Sequence, residues 1–260
     1  MKIIIVCWSM EYLSGSSLYN YTLAKELMKD HEVDVLSHWS DKFQDLNRIN
    51  RAEKEYDLAL ISHREFPMPK ANKIINIIHS EYEGETPIMG LDHYIAIRPE
   101  VKEHLIKEHR IPADKIRVIY NGVDLERFKP RKKTKRNYTK VVIPATRDHL
   151  RKKFFEYYIE KANKDFRVYI YGKDNGYKIP EKEYVYVNDQ VDNIEDYIGD
   201  ADLVAGILLG RVNLEARAMD VPSRIHNPDK PEEFEEYYPP RDEFEKRHDI
   251  KNVDKQLLNE

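Results

Sequence analysis

The sequence predicts an α/β protein whose strands form parallel sheets, arranged in two successive halves. Short apolar runs recur along the chain, among them Ile3-Ile4-Ile5-Val6-Cys7 and Leu58-Ala59-Leu60-Ile61. Continuous apolar runs of this length are strands buried on both faces, as in a parallel sheet. They alternate with stretches whose apolar residues recur at helical spacing, the pattern of a sheet covered by helices. The alternation stops at Arg131-Lys132-Lys133-Thr134-Lys135-Arg136, a basic run typical of a solvated linker, and then begins again.

In the first half, strands are expected at 3–7, 33–36, 58–61, 73–78, 94–97 and 116–119. Ser14-Gly15-Ser16-Ser17 reads as a loop and a Ser-capped helix start, after which Tyr21, Ala24, Leu27 and Met28 recur at helical spacing. A charged helix is expected over 99–109. The sixth strand runs into Asn121-Gly122, a tight-turn signal: Gly122 turns without a Cβ clash and Asn121 tolerates the same backbone region. In the second half, strands are expected at 141–143, 167–171 (ending at Gly172), 184–187 and 203–205, and helices at 154–162, 194–198 and 212–219. The tail from Glu232 is charged, with Phe234, Tyr237, Tyr238 and Phe244 scattered through it, and reads as terminal helices. The expected division is a first domain at 1–130, a basic linker at 131–138, a second domain at 139–230 and C-terminal helices at 231–260.

Composition bounds the function. With 41 % hydrophobic and 35 % charged residues over 260 positions, the chain is a soluble globular protein with enough residues for a sizeable core. A net charge of -4 excludes an electrostatic nucleic-acid binder of the whole-molecule kind. The single cysteine, Cys7, excludes an internal disulfide and fits a reducing, cytoplasmic compartment; within its apolar strand it reads as a small buried hydrophobe. The N-terminal apolar run is too short for a signal sequence, and no stretch of about 18 apolar residues exists to span a bilayer. Membrane contact, where there is any, is expected to be peripheral.

The segment Val118-Ile119-Tyr120-Asn121-Gly122-Val123-Asp124-Leu125-Glu126-Arg127-Phe128-Lys129-Pro130 resembles a signature of retaining glycosyltransferase family 4, also described as glycosyl transferases group 1. Val101-Lys102-Glu103-His104-Leu105 and Ile111-Pro112-Ala113-Asp114-Lys115-Ile116 resemble the helix and loop that lead to it. The resemblance implies a GT-B fold in a compact form: two Rossmann-like domains with parallel sheets facing across a cleft. It puts the acceptor on the N-terminal domain, a nucleotide-sugar on the C-terminal one, and has the last helices pack back on the N-terminal domain.

The resemblance also assigns residues. Gly15 and Ser16 stand where the family has a glycine-rich loop, whose backbone N–H groups approach a phosphate or sugar. His79 follows a strand, and strand carboxyl ends face the ligand crevice of an open parallel sheet. The family often has a His there, close to the transferred sugar, able to hydrogen-bond without a fixed charge. Glu81 and Glu83 nearby are acceptor contacts or solvated loop carboxylates. Arg147 and Lys152 match the family's pair that clamps the donor diphosphate, with Arg151 and Lys153 leaving the lysine ambiguous by one position. Gly210-Arg211-Val212-Asn213-Leu214-Glu215-Ala216 resembles the turn and helix whose N-terminus faces the diphosphate, with Glu215 accepting from the ribose hydroxyls. Asn121, Gly122 and Gly172 complete the expected donor cleft, and His79, Arg147 and Lys152 are its expected catalytic residues.

The chain departs from the family at several points. Ile207 stands where a second Glu usually contacts the donor sugar, Asp220 where a Gly usually follows the helix, and Thr146 and Lys153 where glycines flank the Arg and Lys. Asp200-Ala201-Asp202 has the D-x-D form that ligates metal elsewhere; here it precedes a strand and reads as a turn. The resemblance therefore implies a metal-independent, hexosyltransferase-type enzyme without a cofactor, moving a sugar from a UDP- or GDP-sugar to an acceptor hydroxyl with retention. The acceptor is open: a glycan, a lipid-linked or small molecule, or a modified DNA base. A DNA-base glycosyltransferase, suggested by the compact length and with the cations at 131–136 and 151–153 able to meet phosphates, and a non-catalytic nucleotide- or sugar-binding relative, suggested by Ile207 and the thinned glycine motifs, remain as alternatives.

Overall fold

The computed structural model describes residues 1–10, 15–39, 43–62, 66–81 and 85–259; Ser14 and Glu83 lie outside them. The chain forms two compact units, one of Met1–Gly122 with Arg247–Glu260, the other of Val123–Lys246. No helix of the described residues is long and apolar enough to cross a membrane.

The first unit runs β1 (Lys2–Met10), α1 (Gly15–Leu27), β2 (Glu32–Trp39), β3 (Arg48–Ile49), β4 (Tyr56–Ile61), β5 (Ala71–Ile78), β6 (His93–Ala96), α2 (Pro99–Lys107) and β7 (Ile116–Val118). Its strands pair in the order β3-β2-β1-β4-β5-β6-β7, all parallel. The apolar run of β1 explains its central place, because it has a core on each side. Ile3, Ile5 and Cys7 pack among Leu23, Ala24 and Leu27 of α1, while Ile4 and Val6 pack among Tyr56, Ala59 and Ile61. Burial pushes the Cys7 thiol up to about 12, so it serves as the small hydrophobe its surroundings suggest.

The second unit runs β8 (Thr139–Pro144), α3 (Lys152–Lys161), β9 (Phe166–Tyr171), β10 (Val185–Asn188), α4 (Ile194–Gly199), β11 (Leu203–Ile207), α5 (Arg211–Ala218), β12 (Ser223–His226), β13 (Phe234–Tyr237) and most of α6 (Arg241–His248), whose last two residues belong to the first unit. Its order is β10-β9-β8-β11-β12-β13, parallel except for the last pair. The chain ends with α7 (Ile250–Leu258) in the first unit. There Ile250, Val253 and Leu257 enter the same core as α1, and Asp249 caps the helix by accepting from the Lys251 N–H at 3.1 Å.

Two sequence expectations give way. The tail after Glu232 is not all helix: residues 234–237 form the antiparallel edge strand β13. The loop before it closes on itself, with Asn227 N–H donating to the Glu233 carbonyl at 3.0 Å, and this turns the chain back along β12. An outer strand tolerates Glu235 and Glu236 because one edge faces water. The basic run is also not simply solvated. Arg131 pairs with Asp196, Arg136 with Asp200, and the Thr134 N–H donates to Asp200 at 2.9 Å. Lys140 adds a 2.8 Å contact to Asp200, and its N–H donates to Asp202 at 2.9 Å. The D-x-D carboxylates thus serve as anchors for the 131–136 segment. Among the described residues, no three His, Cys, Asp or Glu side chains group as potential metal ligands.

In each sheet the strand order reverses once, between β1 and β4 and between β8 and β11. Neighbouring loops leave in opposite directions at such a point, opening a crevice at the strands' carboxyl ends.

Candidate functional site

In the second unit the expected donor residues gather at that reversal. Arg147 lies in the loop after β8, Gly172 at the end of β9, and Gly210, Arg211, Val212 and Glu215 at the end of β11 and the start of α5. The backbone of Arg147 is held at both ends: its N–H donates to the Lys173 carbonyl at 2.9 Å, and its carbonyl accepts from Asn175 N–H at 2.9 Å and Tyr177 N–H at 3.2 Å. Gly172 makes this junction possible, since a Cβ there would sit 1.9 Å from the Ala145 carbonyl oxygen. The Arg147 side chain is 12 % exposed and touches Asp189, itself 93 % exposed, at 3.0 Å. Among the described residues its buried Nε has no hydrogen-bond partner. A buried guanidinium N–H without an acceptor costs about 1–3 kcal/mol, and an anion at this crevice would relieve it.

Lys152 opens α3 and is half exposed, with Glu156 Oε1 at 3.8 Å. Its neighbours have other partners. Arg151 pairs with Asp148, which caps the preceding turn, and Lys153 reaches the Asp229 carbonyl at 3.3 Å. Of the three cations, Lys152 is held least tightly and stays adjustable.

The α5 terminus is shaped by the turn before it. Leu208 adopts φ +55°, a left-handed conformation that a branched side chain rarely takes. Gly210 follows in extended conformation as the N-cap and brings no capping side chain of its own. The first-turn N–H groups of α5 thus start at the crevice, where they favour an anion. Asn213, fully buried, braces the turn through its amide, which donates to the Arg224 carbonyl at 3.1 Å. Glu215 is 5 % exposed and is bonded through Oε1 to Arg211 Nε, while Oε2 keeps its acceptor capacity. Val212 is half-buried against the core that contains Leu214 and Val204.

The departures acquire physical reasons. Asp220 occupies a left-handed position, φ +57°, where a glycine is the usual choice. Its carboxylate accepts from Arg217 at 2.7 Å and lies 3.5 Å from Arg241. Ile207 ends β11 half-buried against the core around Phe154 and Val168.

In the first unit, Gly15 and Ser16 start α1, and a Cβ at Gly15 would meet no atom of the described residues within 4 Å. His79 follows β5, with its N–H donating to Glu85 Oε1 at 2.6 Å and its Nε2 3.2 Å from Ser62 Oγ. Burial, then the charge of Arg98, lowers the imidazole pKa to about 4, so His79 is neutral at pH 7. The Tyr19 ring meets it edge-on at 5.0 Å, and among the described residues the buried Tyr19 hydroxyl has no hydrogen-bond partner. Glu81 pairs with Arg98. Gly122 lies against α7, where a Cβ would come 2.5 Å from Ile250 Cδ1. The Asn121 carbonyl accepts from His248 Nδ1 at 3.0 Å. In this unit, Asn121 and Gly122 therefore have a visible packing duty.

Sequence reasoning overlooked Asn20, Ser62, Glu85 and Asn213. Asn20 sits on the buried face of α1 with Tyr19, Leu23, Ala24 and Leu27, and a polar residue in that stripe was a readable signal. Ser62 follows β4 as His79 follows β5, so the strand-end rule applies to it equally.

The family model described as Glycosyltransferase Family 4 matches residues 62–127, the segment that holds Ser62, His79, Asn121 and Gly122. Comparison with curated protein sequences returns no match. Among solved structures, the chain resembles Anabaena HepE in complex with UDP-glucose, at 13 % identity and a TM-score of 0.74, over 100 % of this chain and 98 % of that one. It resembles AviGT4, a glycosyltransferase involved in avilamycin A biosynthesis, at 13 % identity and a TM-score of 0.65, over 99 % and 96 %. It also resembles an α-glucosyltransferase in complex with UDP and a 13-mer DNA, at 9 % identity and a TM-score of 0.63, over 86 % and 79 %. The resemblance to glycosyltransferase family 4 is borne out, and the fold is GT-B.

Proposed function

We propose that this chain is a metal-independent glycosyltransferase that moves a hexose from a UDP-sugar to an acceptor hydroxyl with retention of configuration. One observation carries the reading: Arg147, on a backbone fixed from both sides, keeps a buried Nε without an acceptor at the β8–β11 crevice. A diphosphate supplies the missing oxygens. Arg147, Lys152 and the α5 N-terminus would then stabilise the leaving UDP as negative charge develops on it. The bond from the sugar C1 to the β-phosphate oxygen breaks as the acceptor oxygen bonds to C1 on the same face. The acceptor proton passes to a phosphate oxygen. Glu215 would accept from the ribose hydroxyls through Oε2.

UDP is the preferred donor nucleotide because HepE and the α-glucosyltransferase, both similar in fold, were solved in complex with UDP-glucose and UDP respectively. The test is incubation with a panel of UDP-, GDP- and ADP-sugars, reading release of the diphosphate, with NMR on the product anomer. Release from a UDP-sugar with an α-linked product from an α-donor supports the proposal. Release from none supports the non-catalytic alternative, and an inverted product removes retention.

A DNA acceptor is the second reading, because one similar structure holds DNA. The pairing of Arg131 and Arg136 with Asp196 and Asp200 weakens one of the two basic stretches that could meet its phosphates. DNA retention that falls steeply with salt would favour it.

A further inference from the structure

We propose that Asp189 is a built-in competitor of the donor diphosphate: its carboxylate holds one edge of the Arg147 guanidinium and must yield it to phosphate oxygens when a nucleoside diphosphate binds. The inference rests on the nucleotide-sugar reading of the β8–β11 crevice and adds to it a residue that keeps the hold on the UDP product weak.

Asp189 directly follows β10, the outer strand of its sheet, and backbone bonds set its place beside Arg147. The Gly172 N–H donates to the Asn188 carbonyl at 3.2 Å, and the Arg147 N–H donates to the Lys173 carbonyl at 2.9 Å. The segments after β8, β9 and β10 thus stand side by side, and a displaced Asp189 carboxylate stays tethered within reach of Arg147. Its Oδ1 accepts from Arg147 Nη2 at 3.0 Å, while 93 % of the side chain faces water. Asp148 shows the contrast. It is 13 % exposed and accepts from both the N–H and the side chain of Arg151, so it is built into its turn. A carboxylate held like Asp148 fixes a cation in place; one as loose as Asp189 shields it and can leave.

The pair is also incomplete. A carboxylate that matched the guanidinium fork would take two N–H groups, whereas Asp189 takes Nη2 and, among the described residues, the buried Nε is left without an acceptor. A diphosphate has oxygens for both, so it wins the exchange. Its apparent affinity is nevertheless reduced by the fraction of Arg147 that Asp189 holds. An exposed ion pair holds its partners together about fivefold at most, so the carboxylate raises the apparent Kd for UDP by about twofold to fivefold. Once displaced, it remains a tethered negative charge near the bound diphosphate, which acts in the same direction. During turnover the same contact opposes retention of the UDP product.

The test is calorimetric titration of the full chain with UDP and, in parallel, with inorganic pyrophosphate. Wild type is compared with Asp189→Asn, Arg147→Met and the double variant, all at one low ionic strength. Asp189→Asn should bind both ligands about twofold to fivefold more tightly than wild type. In the Arg147→Met background the same substitution should change neither affinity, because nothing is left to compete for. Weaker binding by Asp189→Asn would make the carboxylate a ligand contact or a brace for Arg147 and overturn the proposal. Unchanged affinity, or an equal gain that persists without Arg147, overturns it as well. If pyrophosphate follows the expected pattern and UDP binds to no variant, the competition stands and the nucleotide reading falls instead; if neither ligand binds any variant, both fall.

Discussion

Replacing Arg147 with Met separates a binding residue from a structural one, because the two roles predict opposite signs. In the structure without a ligand, the guanidinium gains little. Its partner Asp189 is 93 % exposed, and such a pair is worth about 0–1 kcal/mol. Its buried, unpartnered Nε costs about 1–3 kcal/mol. Methionine keeps the apolar stem and removes the orphan donor, so the unliganded Arg147→Met protein should be as stable as wild type or more stable by about 1 kcal/mol, a few degrees in Tm. Binding should move the other way. Losing charge-assisted bonds to a diphosphate, each worth about 1.5–3 kcal/mol, weakens UDP roughly 10- to 100-fold. Differential scanning fluorimetry without nucleotide, and calorimetric titration with UDP, measure the two arms. A variant that loses more than about 2 kcal/mol of unliganded stability while binding UDP like wild type would refute the assignment and make Arg147 a brace for its loop.

Three further outcomes are expected. Gly172→Ala forces a methyl to within 1.9 Å of the Ala145 carbonyl, a backbone atom without room to yield; it should cost about 1–3 kcal/mol and weaken UDP binding by moving the Arg147 loop, and an unchanged Tm contradicts it. Wild type should prefer UDP over 2′,3′-dideoxy-UDP about tenfold, and Glu215→Ala should abolish the preference; a preference that survives removes Glu215 from the ribose contact. His248 is 2 % exposed, and its pKa is lowered to about 4 by burial, aided by the charge of Arg247 and opposed by its bond to Asn121. The unfolded chain, with histidine near 6.5, therefore binds the proton first, and stability should fall as pH drops from about 6.5 to 4, by about 3 kcal/mol from this residue. Urea titrations across that window should show His248→Gln with a flatter profile, and equal slopes would contradict the assignment.

How much was legible follows from how local each signal is. The continuous apolar run of β1 and the strand-end position of His79 are properties of neighbouring residues, and both survive intact. Long-range duties were not readable. Gly172 looked like a donor-cleft glycine, while its strict need comes from Ala145 in the loop of another strand. Arg131 and Arg136 looked solvated because Asp196 and Asp200, which take their charges, come 65 and 64 residues later. Asn20 and Ser62 are separated by 42 residues and acquire meaning only when β4 and α1 pack together. Strand β13 was missed because its charged residues match no buried period; its partner β12, and not its composition, makes it a strand.

The central claim is that the crevice at the β8–β11 reversal binds a nucleoside diphosphate, and amide chemical-shift mapping with UDP on the deuterated full chain tests it most directly. Perturbations should concentrate in the loops at residues 145–148 and 172–175 and in the turn and first helical turn at 208–215, and should shrink in Arg147→Met. Absence of shifts at saturating UDP, or shifts centred on Asp200 and Asp202 instead, would contradict it.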